Sequence, residues 1–138
     1  MDARLRSVDR LFKAVADPTR LRILGLLLGG ELCVCHIHEN LGIPQPKTSR
    51  HLAYLRRAGL VEARKRGLWV YYRLANRSDG LGQTLLDAIH HCIGHLVTIK
   101  RDRARLARKT GSAVVAAAAP HFRCCAQFGT GEESTDRP

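Results

Sequence analysis

Two cysteines one residue apart, in the run Glu31-Leu32-Cys33-Val34-Cys35, carry the most distinctive chemistry in this chain. Soft ions prefer sulfur to oxygen or nitrogen ligands, so a Cys-x-Cys pair points to a thiophilic ion. A lone cysteine reads first as a small core residue. Two within three positions, just ahead of a helix suited to reading DNA, shift the reading toward ligation. In a regular helix, residues two apart point about 200° away from each other. One ion could then be gripped by both sulfurs only if the start of the helix unwinds. Three further cysteines are candidates to complete such a site: Cys92 on an apolar stripe, and the adjacent pair Cys124-Cys125 near the C-terminus. The odd total of five, behind a start Met1-Asp2-Ala3-Arg4 with no secretory character, suits thiols or ligands in a cytoplasmic protein better than disulfides.

The elements that position these residues can be read from periodicity. Leu5, Val8, Phe12 and Val15 mark one face of a first helix ending near Ala16. Asp17-Pro18-Thr19 opens a second, with Asp17 as N-cap and Pro18 at the first helical position, and Gly29-Gly30 stops it. Glu31 to Gly42 fits a third short helix that contains the thiol pair. Ile43-Pro44-Gln45-Pro46 is a turn and helix entry, since proline is tolerated in a first turn. In the helix that follows, Thr48, Leu52 and Leu55 form an inward stripe, while Gln45, Lys47, Ser49, Arg50 and Tyr54 fall mainly on the exposed side. Strand-like runs at residues 60–64 and 68–74 flank a basic tip, Lys65-Arg66-Gly67. A long final helix from about Leu81 to Leu106 carries Leu85, Ile89, Cys92, Leu96 and Ile99 at alternating four- and three-residue spacing, a two-helix seam. Two such stripes exceed what one small core can use, which predicts a homodimer joined through the first and last helices. Residues 1–108 thus form one domain, and residues 109–138 read as a flexible tail.

Composition narrows the function classes. The 138 residues carry a formal net charge of +11, with a pI near 10.2, which favours a polyanionic partner. Aromatic residues, at 5%, are too few for a single-strand stacking platform. No stretch approaches the roughly 20 apolar residues of a membrane span. An enzyme, such as a thiol-based arsenate reductase or small oxidoreductase, would need a nucleophilic cysteine beside an anion-binding loop, and no glycine-rich phosphate loop or Cys-x-x-Cys is present. A zinc-stabilised module lacks the usual closed set of paired ligands, although His36 and His38 lie close to the thiols.

Short helices, a tight turn, a polar-faced helix and a basic hairpin make a mostly α winged helix-turn-helix with a small β-hairpin. A helix fits the major groove, where residues near its N-terminus reach base edges. Gln45 could pair with adenine, and Arg50 or Lys47 with guanine. Thr48, Ser49 and His51 complete the candidate DNA-contacting set on that helix, and Lys65 and Arg66 could meet phosphates or a minor groove from the hairpin. Three runs carry a family resemblance: residues 16–24, Ala-Asp-Pro-Thr-Arg-Leu-Arg-Ile-Leu; residues 45–61, from Gln-Pro-Lys-Thr-Ser-Arg-His-Leu to Ala-Gly-Leu-Val; and residues 66–74, Arg-Gly-Leu-Trp-Val-Tyr-Tyr-Arg-Leu. In this order they resemble the ArsR/SmtB family of metal-responsive repressors, over about Leu5 to Leu106. The resemblance implies a dimeric repressor on operator DNA of inverted symmetry, with no cofactor needed for binding and release when metal binds.

The thiol run resembles the branch of that family that senses arsenite, antimonite, cadmium or lead. Some members carry a third cysteine where this chain has His38, a poorer donor for trivalent arsenic, which favours a pyramid of three sulfurs. Cadmium and lead sensors of the branch add cysteines from an N-terminal extension. None precedes Cys33 here, so As(III) or Sb(III) is the expected inducer ahead of Cd(II), Pb(II) or Zn(II). The family's zinc pattern on the final helix does not carry over, because Asp87 is followed by Ile89 where a histidine is needed. His90, His91 and His95 then read as surface or interface residues. A thiol redox-sensing repressor, with disulfides at Cys33 and Cys35 or at Cys124 and Cys125, is the alternative within DNA binding.

Overall fold

The computed structural model describes residues 2–76 and 80–110. Cys124 and Cys125, with nearly all of the expected tail, lie outside the described residues. Helix α1 (Ala3–Val15) is capped by Asp2, whose carboxylate accepts from Leu5 N at 2.8 Å. Its core face is Leu11 and Ala14, whereas Leu5 and Phe12 of the expected stripe stay about half exposed, at 53% and 51%. Helix α2 (Pro18–Leu27) starts as expected: Asp17 accepts from Arg20 N at 2.9 Å and Pro18 takes the first position. A cap of this kind contributes about 1 kcal/mol. Ile23 to Leu27 are all buried, making α2 the central element of the core.

The third segment departs from expectation. Leu32–Cys33 is a short strand, β1, and helix α3 begins only at Val34 and runs to Leu41. Gly42, at φ 70, closes α3 in the left-handed conformation that glycine adopts without strain. Helix α4 (Gln45–Arg57) follows Pro44, with Pro46 in its first turn. The hairpin β2 (Val61–Arg66) and β3 (Trp69–Leu74) turns through Gly67-Leu68, since Arg66 pairs directly with Trp69. Lys65 and Arg66 are therefore the last residues of a strand, not the tip. The sheet order is β1-β3-β2, all antiparallel, with Leu32 opposite Tyr72 and Cys33 opposite Tyr71. The thiol segment is thus part of the wing's sheet.

The expected long final helix is two helices, α5 (Gly80–Ile93) and α6 (Val97–Thr110). The chain breaks at Gly94, a poor helix former, and α6 folds back along α2 and onto α3. Two fits hold it there. Gly25 of α2 leaves the space filled by Ile99, whose side chain would lie 2.8 Å from any added Cβ. Asp102, 1% exposed, accepts from Arg22 at 2.9 Å through both oxygens and from Arg105 at 3.2 Å. These tertiary contacts override a periodicity that runs smoothly across the break. The seam is divided accordingly: Ile89 and Ile99 are buried in their own chain, while Cys92 and Leu96 are exposed. Helix α6, the last among the described residues, is occupied within its own subunit, and the start of α5, at Gly80 and Leu81, lines a cleft with Arg4, Ser7, Val8 and Leu11 of α1.

Candidate functional site

Cys33 is the residue that caps α3, with extended backbone at φ −75 and ψ 151. Cys35 is the second residue of the helix. Because only one of the two is helical, the 200° divergence expected of a helical pair does not arise. Their sulfurs face each other at 2.8 Å, well beyond the ~2.05 Å of a disulfide, and no disulfide joins them. They are 2% and 0% exposed and belong to the same core as Leu24, Ile37 and Tyr71. The site is anchored to the wing twice. Cys33 pairs with Tyr71 of β3, and Glu31 accepts from both arms of Arg64 of β2, at 3.0 and 2.5 Å. No side chain caps the α3 N-terminus at Cys33.

The remaining candidate ligands are not drawn to the pair. Among the described residues of one chain, no three His, Cys, Asp or Glu side chains form a group able to hold a metal ion. His38 is half-buried on α3, and Cys92 is exposed on α5. The donor set within one described chain is therefore two thiols, which fit a thiophilic ion only as part of its shell. His91, exposed on α5, and His95, exposed in the turn just beyond its end, approach edge to face with ring centroids 6.2 Å apart. Asp87 on the same helix accepts from Gln83 at 2.9 Å.

Helix α4 presents a different set of side chains from the one expected. Lys47 and Arg50 are exposed, and Ser49 is half-buried. Gln45 is only 5% exposed and donates to Ser49 Oγ at 2.8 Å. Thr48, fully buried, donates to Pro44 O at 3.2 Å, which fits its place in the inward stripe and removes it from the DNA-contacting set. His51 turns toward α2, where Arg20 donates to its Nδ1 at 3.3 Å. Burial, followed by the charges of Arg20, Lys47 and Arg50, pulls the His51 pKa below its ordinary 6.5 against the opposing pull of Asp17. A neutral ring is also what the acceptor role of Nδ1 requires. In the wing, the Arg66 guanidinium lies 5.2 Å from the Tyr71 ring centre.

Arg20 was not legible as a functional position from spacing alone. Its guanidinium donates to Ala14 O at 2.7 Å and Lys13 O at 3.1 Å, the last carbonyls of α1. It also lies 4.1 Å over the Tyr54 ring of α4. One side chain therefore ties α1 to α4 through α2, using a charge-assisted pair of carbonyl contacts and a cation–π contact. The only cue in the sequence is the Asp-Pro-Thr-Arg helix start.

Comparison with known proteins agrees with this geometry. Residues 17–63 match the model of the "Bacterial regulatory protein, arsR family". The chain is 48% identical over 84 residues to the arsenical resistance operon repressor of Escherichia coli (strain K12), covering 60% of this chain and 72% of that protein. It is 54% identical over 65 residues to the arsenic resistance transcriptional regulator ArsR1 of Pseudomonas putida, covering 46% of this chain and 51% of the relative. Among solved structures, the homodimeric winged helix-turn-helix DNA-binding domain Mb0332 of Mycobacterium bovis superposes with a TM-score of 0.55 at 36% identity, covering 68% of this chain and 89% of that one.

Proposed function

The chain belongs to the arsR family of bacterial regulatory proteins, and from that premise we propose that it is an operator-bound homodimeric repressor that lets go of DNA when trivalent arsenic or antimony is held by Cys33 and Cys35. Its relatives are DNA-binding transcription regulators, and the chain is one of these and not an enzyme. The observation that carries the inducer reading is the pair of sulfurs 2.8 Å apart at the junction of β1 and α3. The names of the two relatives from Escherichia coli and Pseudomonas putida support arsenic as the inducer.

The physical route from ion to DNA follows from burial. The sulfurs already face each other, so the helix need not unwind to bring them together. Both are shielded from solvent, so an ion can be seated only by displacing β1 or the first turn of α3. Displacing β1 disturbs its pairing with β3 and hence the wing that carries Lys65 and Arg66. Displacing α3 disturbs the turn at Gly42 and hence the entry of α4, with Lys47 and Arg50. Either movement alters the spacing of DNA-contacting parts between two subunits. The third sulfur that trivalent arsenic favours would come from Cys92, Cys124, Cys125 or a small thiol, with His38 the poorer donor. Leu5 and Phe12 on α1 and Leu81 on α5 are exposed apolar groups that a second subunit would cover, and two subunits suit an operator of inverted symmetry. No described helix is long and apolar enough to cross a membrane, and the reduced thiols suit the cytoplasm.

The experiment is to select an operator from random duplexes with the reduced protein, then titrate the complex with arsenite, antimonite, cadmium, zinc and peroxide in parallel. Release by arsenite and antimonite ahead of the others is expected. Unchanged operator affinity at saturating arsenite would overturn the inducer reading. The same short sulfur–sulfur distance favours one other reading, a disulfide switch formed through a sulfenic acid. Release by peroxide alone would establish that instead.

A further inference from the structure

Helix α6 carries six cations, Lys100, Arg101, Arg103, Arg105, Arg108 and Lys109, against one acid, Asp102. That acid is buried and already satisfied by Arg22 and Arg105. Among the described residues, no carboxylate lies within ion-pair distance of Lys100, Arg101, Arg103 or Arg108. Ile99, Asp102 and Leu106 face inward, at 2%, 1% and 4% exposure. Arg101 and Arg108, seven residues apart and roughly opposite that face, therefore stand about 10.5 Å apart along an outer row, with Lys100 beside them. The fixed inner face makes this a held, positively charged surface instead of a set of loose chains.

The position of α6 identifies the partner. At its C-terminal end, Arg105 donates to Asn40 O at 2.9 Å and Lys109 to Glu39 O at 3.4 Å, so α6 rests on the end of α3. Only the turn at residues 42–44 separates α3 from the reading helix α4. In a helix-turn-helix the first helix crosses the DNA backbone while the second enters the major groove. A basic helix that binds membrane surfaces needs an apolar face to insert, and that of α6 is spent on its own chain. A protein interface, for its part, is depleted of charged residues at its core, whereas the centre of this face is Lys100, Arg101 and Arg108.

We propose that the outer face of α6, centred on Lys100, Arg101 and Arg108, is a second phosphate-gripping surface that holds duplex DNA beside the base-reading helix. It contributes affinity without sequence preference, because phosphates carry no sequence information. The proposal rests on DNA binding alone and stands or falls independently of the inducer.

The test uses the full chain with Arg101→Gln and Arg108→Gln together. Affinity is followed from about 50 to 200 mM salt, for the operator and for a random-sequence duplex of the same length. Each lost phosphate contact should flatten the log–log slope by about 0.9. Two lost contacts make the wild type's fall over this range steeper than the variant's by ~10-fold per bound subunit. The change should be the same on both duplexes, and Arg101→Lys with Arg108→Lys should restore the slope. Parallel salt slopes for wild type and the glutamine variant would overturn the proposal, as would a change confined to the operator. Loss of binding to phosphatidylserine vesicles with parallel DNA slopes would reassign the face to a membrane surface. Should the double variant fail to fold by circular dichroism, Lys100→Gln alone, expected to flatten the slope by about 0.9, decides the question by the same criteria.

Discussion

Two regions of this chain hold clusters of cysteine and histidine, and they could hardly be set more differently. At the β1–α3 junction, Cys33, Cys35 and His36 are buried, and their segment is bonded to the wing and continuous with the reading helix. On α5 and the turn that follows it, His90, His91, Cys92 and His95 stand exposed, and among the described residues their side chains share a ring contact between His91 and His95. By donor chemistry alone, α5 is the richer and more accessible of the two. What it lacks is connection to the DNA-reading parts. Within one described chain α5 packs chiefly against α2, whereas an ion bound at the junction must move either the wing or α3. Responsiveness is a matter of what a site is attached to as much as what it contains.

The contrast can be broken most decisively at the sulfurs. Cys33→Ser and Cys35→Ser should each abolish arsenite-induced release in an operator anisotropy titration, while Cys92→Ser, and His91→Ala with His95→Ala, leave it intact. Loss of release in Cys92→Ser would instead make Cys92 the third sulfur and α5 part of the site, and would dissolve the distinction. Next in size is the anchor at the far end of α3. Arg22→Ala leaves Asp102 buried with Arg105 alone, and should cost about 3 kcal/mol in urea denaturation. A loss below about 1 kcal/mol would mean that α6 is held chiefly by Ile99.

Cutting the wing's second tie by Glu31→Gln should cost roughly 1 kcal/mol, because Arg64 is 43% exposed and screened by solvent. It should also weaken the arsenite response without removing it. An undiminished response would place the output in α3 and not in the wing. The smallest effect concerns pH. The folded His51 pKa lies below its ordinary 6.5, chiefly because of burial. Between those two values the unfolded chain binds more protons, so stability is full above pH 6.5 and declines as pH falls toward the lowered value. Relative to wild type, His51→Gln should lose less stability between neutral pH and about pH 5.5 in urea melts. Equal losses would show that other histidines set the acid limb.

Much of this arrangement was legible in the residues. Asp17-Pro18 marked the start of α2 because a capping carboxylate and a proline suit the same helix end. Gly42 marked the end of α3 because only glycine enters the left-handed region freely. Strand β1 was not legible, since two residues show no period and Leu32–Cys33 is extended only through its pairing with Tyr71 and Tyr72. That omission mattered most, because it put Cys33 in a helix and turned its sulfur away from Cys35. The α5–α6 break escaped for a related reason. The apolar spacing continues through Gly94, and the fold-back is decided by Ile99 meeting Gly25 and by Asp102 meeting Arg22, partners far off in sequence. On α4, helical spacing correctly turned Thr48 inward, but not Gln45 or His51, whose orientation depends on Ser49 and Arg20.

The cap of α3 has an evolutionary consequence. Position 33 precedes the helix with the extended backbone of an N-cap, yet its thiol makes no capping hydrogen bond. A serine there could supply one, a gain of about 1 kcal/mol. Drift under selection for folding alone would therefore tend to replace the cysteine. Lineages that no longer meet the inducer should lose Cys33 to serine or threonine before they lose the wing or the reading helix, becoming more stable repressors that cannot be switched off.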